Sequence, residues 1–227
     1  MYFVHPLPQQ IDQEDINVLL KAEPATIGHF LHMGFMDKGV RAVFAAPRVA
    51  GTAVTVCCPG PDNAIAHYAL GQLRRGDVLV IDRCNDHHHA SLGGAFAYAA
   101  REIGVAGIVV DGVVTDLEEL QRYGVPIWSR GLTAITVKTL GMGGALCRPV
   151  SCGGVAVCPG DAILADENGV LVLPRGLIQY AAQKAIGMQQ AEKATLQRLD
   201  QGQKYPDIIG SGQVVIDNLY DLNARKI

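Results

Sequence analysis

The residues best equipped for chemistry lie between Asp82 and Asp116, in the segment DRCNDHHHASLGGAFAYAAREIGVAGIVVDGVVTD. Asp116 closes the run Asp111-Gly112-Val113-Val114-Thr115-Asp116, just after an apolar stretch that reads as a strand. A carboxylate at the carboxyl end of a strand can hold Mg2+ or Mn2+ through one or two oxygens, with water completing the shell. The same residues also read as helix punctuation. Thr115-Asp116-Leu117-Glu118 has the spacing of a capping box, and an acidic residue favours a helix N-terminus. The two readings are compatible, since Thr115 can cap while Asp116 coordinates. Upstream, Ser91-Leu92-Gly93-Gly94-Ala95-Phe96 opens a predicted helix. Free N–H groups there could cradle a carboxylate, or the glycines could serve tight helix–strand packing. His87-His88-His89 follows Asp86. On an extended chain only His87 and His89 share a side, where they could bind metal or shuttle protons; an exposed loop is the plainer reading. His29 and His32 have the i, i+3 spacing of one helix face. Lys138, in ITVKTL, is embedded in a β-like run and is the candidate for Schiff-base chemistry, though nothing nearby would depress its pKa.

The elements that must position these groups alternate in type. RVAGTAVTVCCPG, VLVID and GIVVDG read as strands, and the segments after Asp62, after Ser91 and over LEELQRYG read as helices. Asp62 and Ser91 are expected N-caps, and Gly104 an expected helix stop. The centre, about 51–128, therefore predicts βα units around a parallel sheet, whose ligand sites gather at the carboxyl ends of the strands. GGVAVCPGDAILADENGVLVLP predicts short antiparallel strands joined by Pro-Gly-Asp and Glu-Asn-Gly turns. Helices are expected over about 10–34 and, beginning with Pro174, over about 174–203. A single α/β domain over residues 1–227, with a mixed sheet and flanking helices, is the architecture this implies.

Composition narrows the function. The net charge of the 227 residues is -3, which argues against a broad cationic face for nucleic acid. No apolar run is long enough to span a bilayer, and MYFVHPLPQQ lacks the charged and apolar regions of a signal peptide. The cysteines Cys57, Cys58, Cys84, Cys147, Cys152 and Cys158 form no Cys-x-x-Cys pair. They read mainly as small buried hydrophobes, so a structural zinc site is not expected and the chain is expected to be cytoplasmic and reduced. Phosphate-loop, nucleophile-elbow and dinucleotide fingerprints are all missing.

The ordered series GTAVTV, RRGDVLVID, LGGAF, GVAGIVVDGVVTD, YGVPIWSRG and GGVAVCPGDAILADENGVLVLP resembles the regulator of ribonuclease activity A-like family, over roughly residues 25–185. That family includes 4-hydroxy-4-methyl-2-oxoglutarate and 4-carboxy-4-hydroxy-2-oxoadipate aldolases. The resemblance implies a swivelling β/β/α fold and a homotrimer or homohexamer with sites at subunit interfaces. It implies a divalent-metal-dependent lyase releasing pyruvate from a small 2-oxo acid. Gly93, Gly94, Ala95 and Phe96 would then form the substrate cradle beside Thr115, Asp116 would hold Mg2+ or Mn2+, and His89 or Asp86 would move the proton. Where the family motif ends Arg-Asp, this chain has Thr115-Asp116, which lacks a bidentate cation. The replacement cation is expected from Arg83, Arg101, Arg130 or a protonated histidine, unless the substrate differs. The alternatives are a non-catalytic ribonuclease-binding protein, or another metal-assisted enzyme such as a hydrolase, isomerase or dehydratase.

Overall fold

A computed structural model describes residues 1–219. By internal contacts the chain divides into two compact units, Met1–Ala185 and Ile186–Ile227. The first opens with β1 (Tyr2–Val4), α1 (Gln13–Leu19), α2 (Pro24–Ile27) and β2 (Arg41–Ala42). Both helices are shorter than expected. Asp12 is extended, so α1 begins after it, and α2 runs only from Pro24 to the residue before Gly28. His29 and His32 consequently lie beyond α2 and share no helix face.

The βα units follow as β3 (Val49–Cys57), α3 (Ala64–Leu70), β4 (Asp77–Asp82), α4 (Gly94–Ile103), β5 (Gly107–Asp111), β6 (Val113–Val114), α5 (Leu117–Tyr123) and β7 (Ile127–Ser129). β3, β4, β5 and β7 pair in parallel. Their near-continuous apolar runs reflect a sheet covered on both faces. Alternate residues serve opposite sides: Val54, Val56, Leu79, Ile81, Ile108 and Val110 pack with α3 and α4, while Ala53, Val78, Val80, Val109 and Trp128 form a second cluster.

The chain continues through β8 (Gly131–Leu132), β9 (Gly144–Leu146), β10 (Val150–Cys152), β11 (Val155–Val157), β12 (Ala162–Asp166) and β13 (Gly169–Leu173). β10 with β11, and β12 with β13, form antiparallel ladders, and β12 also pairs antiparallel with β3. The path β1-β9-β3-β4-β5-β7-β2, with β12 and β13 attached at β3, makes a nine-stranded mixed sheet among the described residues. The result is an α/β architecture with a mixed central sheet and flanking helices. After Pro174 one turn of 3-10 helix leads into α6 (Ile178–Asp200). The second unit holds the end of α6 and two short helices, α7 (Tyr205–Ile209) and α8 (Ser211–Asp217). No helix among the described residues is long and apolar enough to cross a membrane.

Three capping expectations are corrected. α4 starts at Gly94 with Gly93 as its N-cap residue, and the buried Ser91 hydroxyl has no hydrogen-bond partner among the described residues. The predicted Thr115–Glu118 capping box does not form. α5 begins at Leu117, and the residue before it, Asp116, adopts a left-handed conformation with no side-chain cap. The third is Asp62: the N-cap residue of α3 is Asn63, without a side-chain cap, and Asp62 stands just before it. Its carboxylate accepts the Ala64 N–H at 3.1 Å, the Leu140 N–H at 2.9 Å and the Met142 N–H at 2.7 Å, fastening a distant loop to the start of α3.

Burial alone would raise the Asp62 carboxyl, but these N–H donors and the Tyr2 hydroxyl outweigh it and bring the pKa down to about 2. A carboxyl depressed in the folded chain stabilises it above the unfolded pKa, and that stability is lost as pH falls toward the folded value. Asp62→Asn is expected to cost about 2 kcal/mol at neutral pH, or about 4–8 °C in Tm. Calorimetry as a function of pH should show this gap closing between about pH 4 and pH 2.

Candidate active site at the start of two helices

Two chain segments are laced together so that Asp116 faces the start of α4. The Ser91 N–H donates to the Val113 carbonyl at 2.8 Å, and the Thr115 N–H donates to the Leu92 carbonyl at 3.0 Å. Ala90 bridges in parallel to both Val113 and Thr136, so the 90–92 segment runs between two others. With this frame fixed, Asp116 takes φ 58°, a conformation that costs an L-residue energy and that aspartate tolerates better than most. Its Oδ2 accepts the Gly94 N–H at 3.0 Å and its Oδ1 accepts the Thr115 hydroxyl at 3.3 Å.

The glycine pair makes this approach possible. A Cβ on Gly93 would overlap Asp116 Oδ2 and lie 2.9 Å from the Thr115 methyl. A Cβ on Gly94 would overlap the Glu119 carboxylate. Glu119 is thus a second carboxylate at the site, one turn into α5. The sequence reading missed it because it treated that region as punctuation for a helix; its i, i+3 spacing from Asp116 was the available signal.

Gly93, Gly94, Ala95, Phe96, Thr115 and Asp116 all line one cavity of about 210 Å³. Asn63, His67, Ser91, Thr136 and Val137 complete much of its wall. Asp116 also borders a neighbouring, open depression lined by Leu117, Glu118 and Glu119. Because Asp116 already takes the Gly94 N–H, the Ala95 and Phe96 N–H groups are the open donors at this helix start among the described residues. The unpartnered Ser91 hydroxyl is a further polar group on the same wall. A larger cavity of about 390 Å³, lined by Tyr2, Val4, Ala64, Ile65 and Tyr68, offers no charged side chain.

The histidine expected to work beside Asp116 does not line this cavity. His89 Nδ1 lies 2.9 Å from Asp86 Oδ2, in the loop after β4. Partial burial would raise the Asp86 carboxyl, but the His88 and His89 N–H groups and the His89 ring together hold it below the ordinary carboxylate range. His87 and His88 belong to the same loop. The histidine that does line the cavity is His67, whose ring sits 6.1 Å from that of Phe96. No motif or spacing in the sequence pointed to it.

The arginines named as replacement cations are occupied or absent from the wall. Arg83 is fully buried, donating to Cys58 Sγ at 3.0 Å and to the carbonyls of Asp62 and Gly60, with Asp86 3.5 Å away. Arg130 pairs with Asp111 and, at 3.0 Å, with Asp37. Arg101 and Lys138 are exposed and do not line the cavity. Among the described residues no lysine or arginine lines it.

The RraA-like family model (Aldolase/RraA) matches residues 24–172. A Thermus thermophilus protein named 4-hydroxy-4-methyl-2-oxoglutarate aldolase is 40% identical over 148 residues, covering 65% of this chain and 85% of its own. A Halalkalibacterium halodurans protein bearing a provisional form of the same name is 37% identical over 147 residues, covering 65% of this chain and 70% of its own. Among solved structures, Streptomyces coelicolor RraAS2, described as an unusual member of the RNase ES inhibitor RraA protein family, has a TM-score of 0.74 at 29% identity. That likeness covers 82% of this chain and 98% of RraAS2.

Two substitutions separate packing from ligand binding at this site. Gly93→Ala forces the Asp116 carboxylate off the Gly94 N–H and is expected to lower stability by about 1 kcal/mol, or about 2–4 °C in Tm. Ser91→Ala removes a hydroxyl that has no partner, so scanning calorimetry should find Tm unchanged or slightly raised. A large loss for Ser91→Ala would show that the hydroxyl is used within the fold.

Proposed function

Because this chain belongs to the RraA-like family, we propose that it is a divalent-cation-dependent lyase that cleaves a small 4-hydroxy-2-oxo acid to pyruvate, or decarboxylates a related oxo acid. The observation that carries the proposal is the Asp116 carboxylate, turned by a left-handed backbone into a cavity that has open N–H donors and, among the described residues, no lysine or arginine. The donor set suits Mg2+ or Mn2+. Asp116 and Glu119 supply one or two hard oxygens, and such ions commonly take the rest of their shell from water and substrate. When bound, the ion would supply Lewis-acid polarisation of the 2-oxo group.

The chain's own groups have separate tasks in this reading. Asp116 holds the ion, with Glu119 beside it. The Ala95 and Phe96 N–H groups and the Ser91 hydroxyl bind the substrate carboxylate, favoured by the positive end of α4. Thr115 contacts the substrate through its short hydroxyl and brings no charge. His67 takes the proton from the 4-hydroxyl as the C3–C4 bond breaks. The electron pair of that bond passes to the pyruvate fragment, and the proton held by His67 is then returned to it at C3. His67 thereby also carries the positive charge that Thr115 does not, and His89 stays with Asp86 outside the reaction. Assembly into a homotrimer or homohexamer belongs to the same proposal.

The assay is pyruvate release from 4-hydroxy-2-oxo acids and oxaloacetate, coupled to lactate dehydrogenase. Turnover should require Mg2+ or Mn2+, disappear in EDTA and return on readdition. Asp116→Asn should lower kcat/KM by at least about 100-fold, a transition-state loss of about 3 kcal/mol. His67→Ala should cost about 10-fold or more, as expected of a general base, while His89→Ala should change the rate less than about 3-fold. Turnover that survives EDTA, or Asp116→Asn, overturns the proposal. No turnover on any oxo acid, together with capture of a ribonuclease, would support the regulator reading that the RraAS2 likeness raises.

A further inference from the structure

A second group of metal-binding side chains lies at the carboxyl ends of β3 and β4, and none of them lines the cavity that holds Asp116. Cys57 ends β3 and Asp82 ends β4, and the parallel register sets these two residues side by side. Cys84 and Asn85 follow in left-handed conformations, with φ 52° and 66°. This tight reversal brings the Cys84 thiol back to 3.4 Å from that of Cys57. Asp82 Oδ1 accepts the Cys84 N–H at 2.7 Å and so fixes the turn, while its Oδ2 has no hydrogen-bond partner among the described residues. One ligand atom from each of the three residues lies within 4.8 Å of the others. The neighbouring Cys58 takes no part, because its thiol faces Arg83 and Asn63 on the other side of the strand.

We propose that Cys57, Asp82 and Cys84 form a binding site for a thiophilic divalent cation of the Zn2+ class, with a fourth position open to solvent. A tetrahedral zinc with Zn–S bonds of about 2.3 Å needs its sulfurs about 3.8 Å apart. The observed 3.4 Å therefore requires an opening of a few tenths of an ångström. A disulfide, at about 2.05 Å, would require the sulfurs to close by more than an ångström, and it would leave Asp82 without a role. Two sulfur donors and one carboxylate select zinc over magnesium, because soft ligands discriminate against a hard ion that prefers six oxygens. Cys84 is exposed and Cys57 and Asp82 are half-buried, so the ion can reach the site without unfolding. Three protein ligands at a tetrahedral ion leave one position for water or a small ligand, the arrangement of a site that can bind and exchange rather than one closed for structure.

The test uses the full chain, reduced with a phosphine and freed of metal. Zn2+ is titrated against a chromophoric chelator, and Co2+ is added in parallel. The expected result is one zinc per chain, unaffected by a 100-fold excess of Mg2+, and a cobalt spectrum with thiolate charge-transfer and intense tetrahedral bands. Cys57→Ser and Cys84→Ser should each weaken zinc binding by at least 100-fold, and Asp82→Asn by about 10-fold. Cys158→Ser, at an exposed cysteine outside the cluster, should leave affinity unchanged and controls for general thiol binding. Cys84→Ser changes an exposed side chain, so thermal melting should report a folded protein. Failure of the reduced chain to retain zinc, or retention unaltered in both cluster serine variants, overturns the site.

Discussion

The hydrogen bond from the Gly94 N–H to Asp116 Oδ2 joins the starts of α4 and α5, and the chemistry of the cavity is arranged around it. It exists because three local constraints coincide. The lacing of 90–92 against 113–115 brings the segments together, the left-handed Asp116 backbone turns the carboxylate across the gap, and glycine at 93 and 94 leaves room for it. Each constraint is ordinary, but their combination places a carboxylate among N–H donors at the end of a parallel sheet. Such a backbone conformation is retained where surrounding structure enforces it, and it commonly marks a site of function.

The electrostatics of the cavity follow from where the arginines have gone. Arg83 is spent holding the buried loop of Cys58, Gly60 and Asp62, and Arg130 is spent on Asp37 and Asp111. A cavity lined by Asp116, with Glu119 in the adjoining depression and no lysine or arginine on its wall among the described residues, is poor at attracting an anionic acid by itself. A divalent ion on the carboxylates would reverse that balance. In the proposed lyase, with Thr115 where the family resemblance expects an arginine, the ion and His67 would carry more of the charge stabilisation.

The sheet was legible because its strands are buried on both faces. VLVI and GIVV are uninterrupted apolar runs ahead of Asp82 and Asp111, and no alternation or cap was needed to find them. The glycine stops at Gly104 and Gly124 were equally plain, since both take the left-handed conformation that ends a helix. β1 was missed, because a three-residue strand that pairs with Gly144–Leu146 has no local signature. The N-caps misled at Asp62, Ser91 and Thr115. Ser91 and Thr115 have the right side chains and spacing, but the lacing between their segments overrides local capping. His67 and the Cys57–Cys84 approach were hidden for a common reason: each depends on contacts between elements, which residue spacing along the chain does not report, whereas the i, i+3 spacing of Glu119 from Asp116 was visible. The absence of Cys-x-x-Cys spacing argued against a zinc site of the usual sequence pattern, whereas the sheet register joins Cys57 to a turn 27 residues away.

The most direct measurement is the anomalous scattering of manganese in crystals of the chain grown with Mn2+ and a 2-oxo acid analogue. A peak is expected within coordination distance of an Asp116 carboxylate oxygen, with the 2-oxo acid bound to the same ion and its carboxylate toward the Ala95 and Phe96 N–H groups. Manganese bound elsewhere, with the analogue in this cavity and Asp116 still paired only with Gly94, would contradict it.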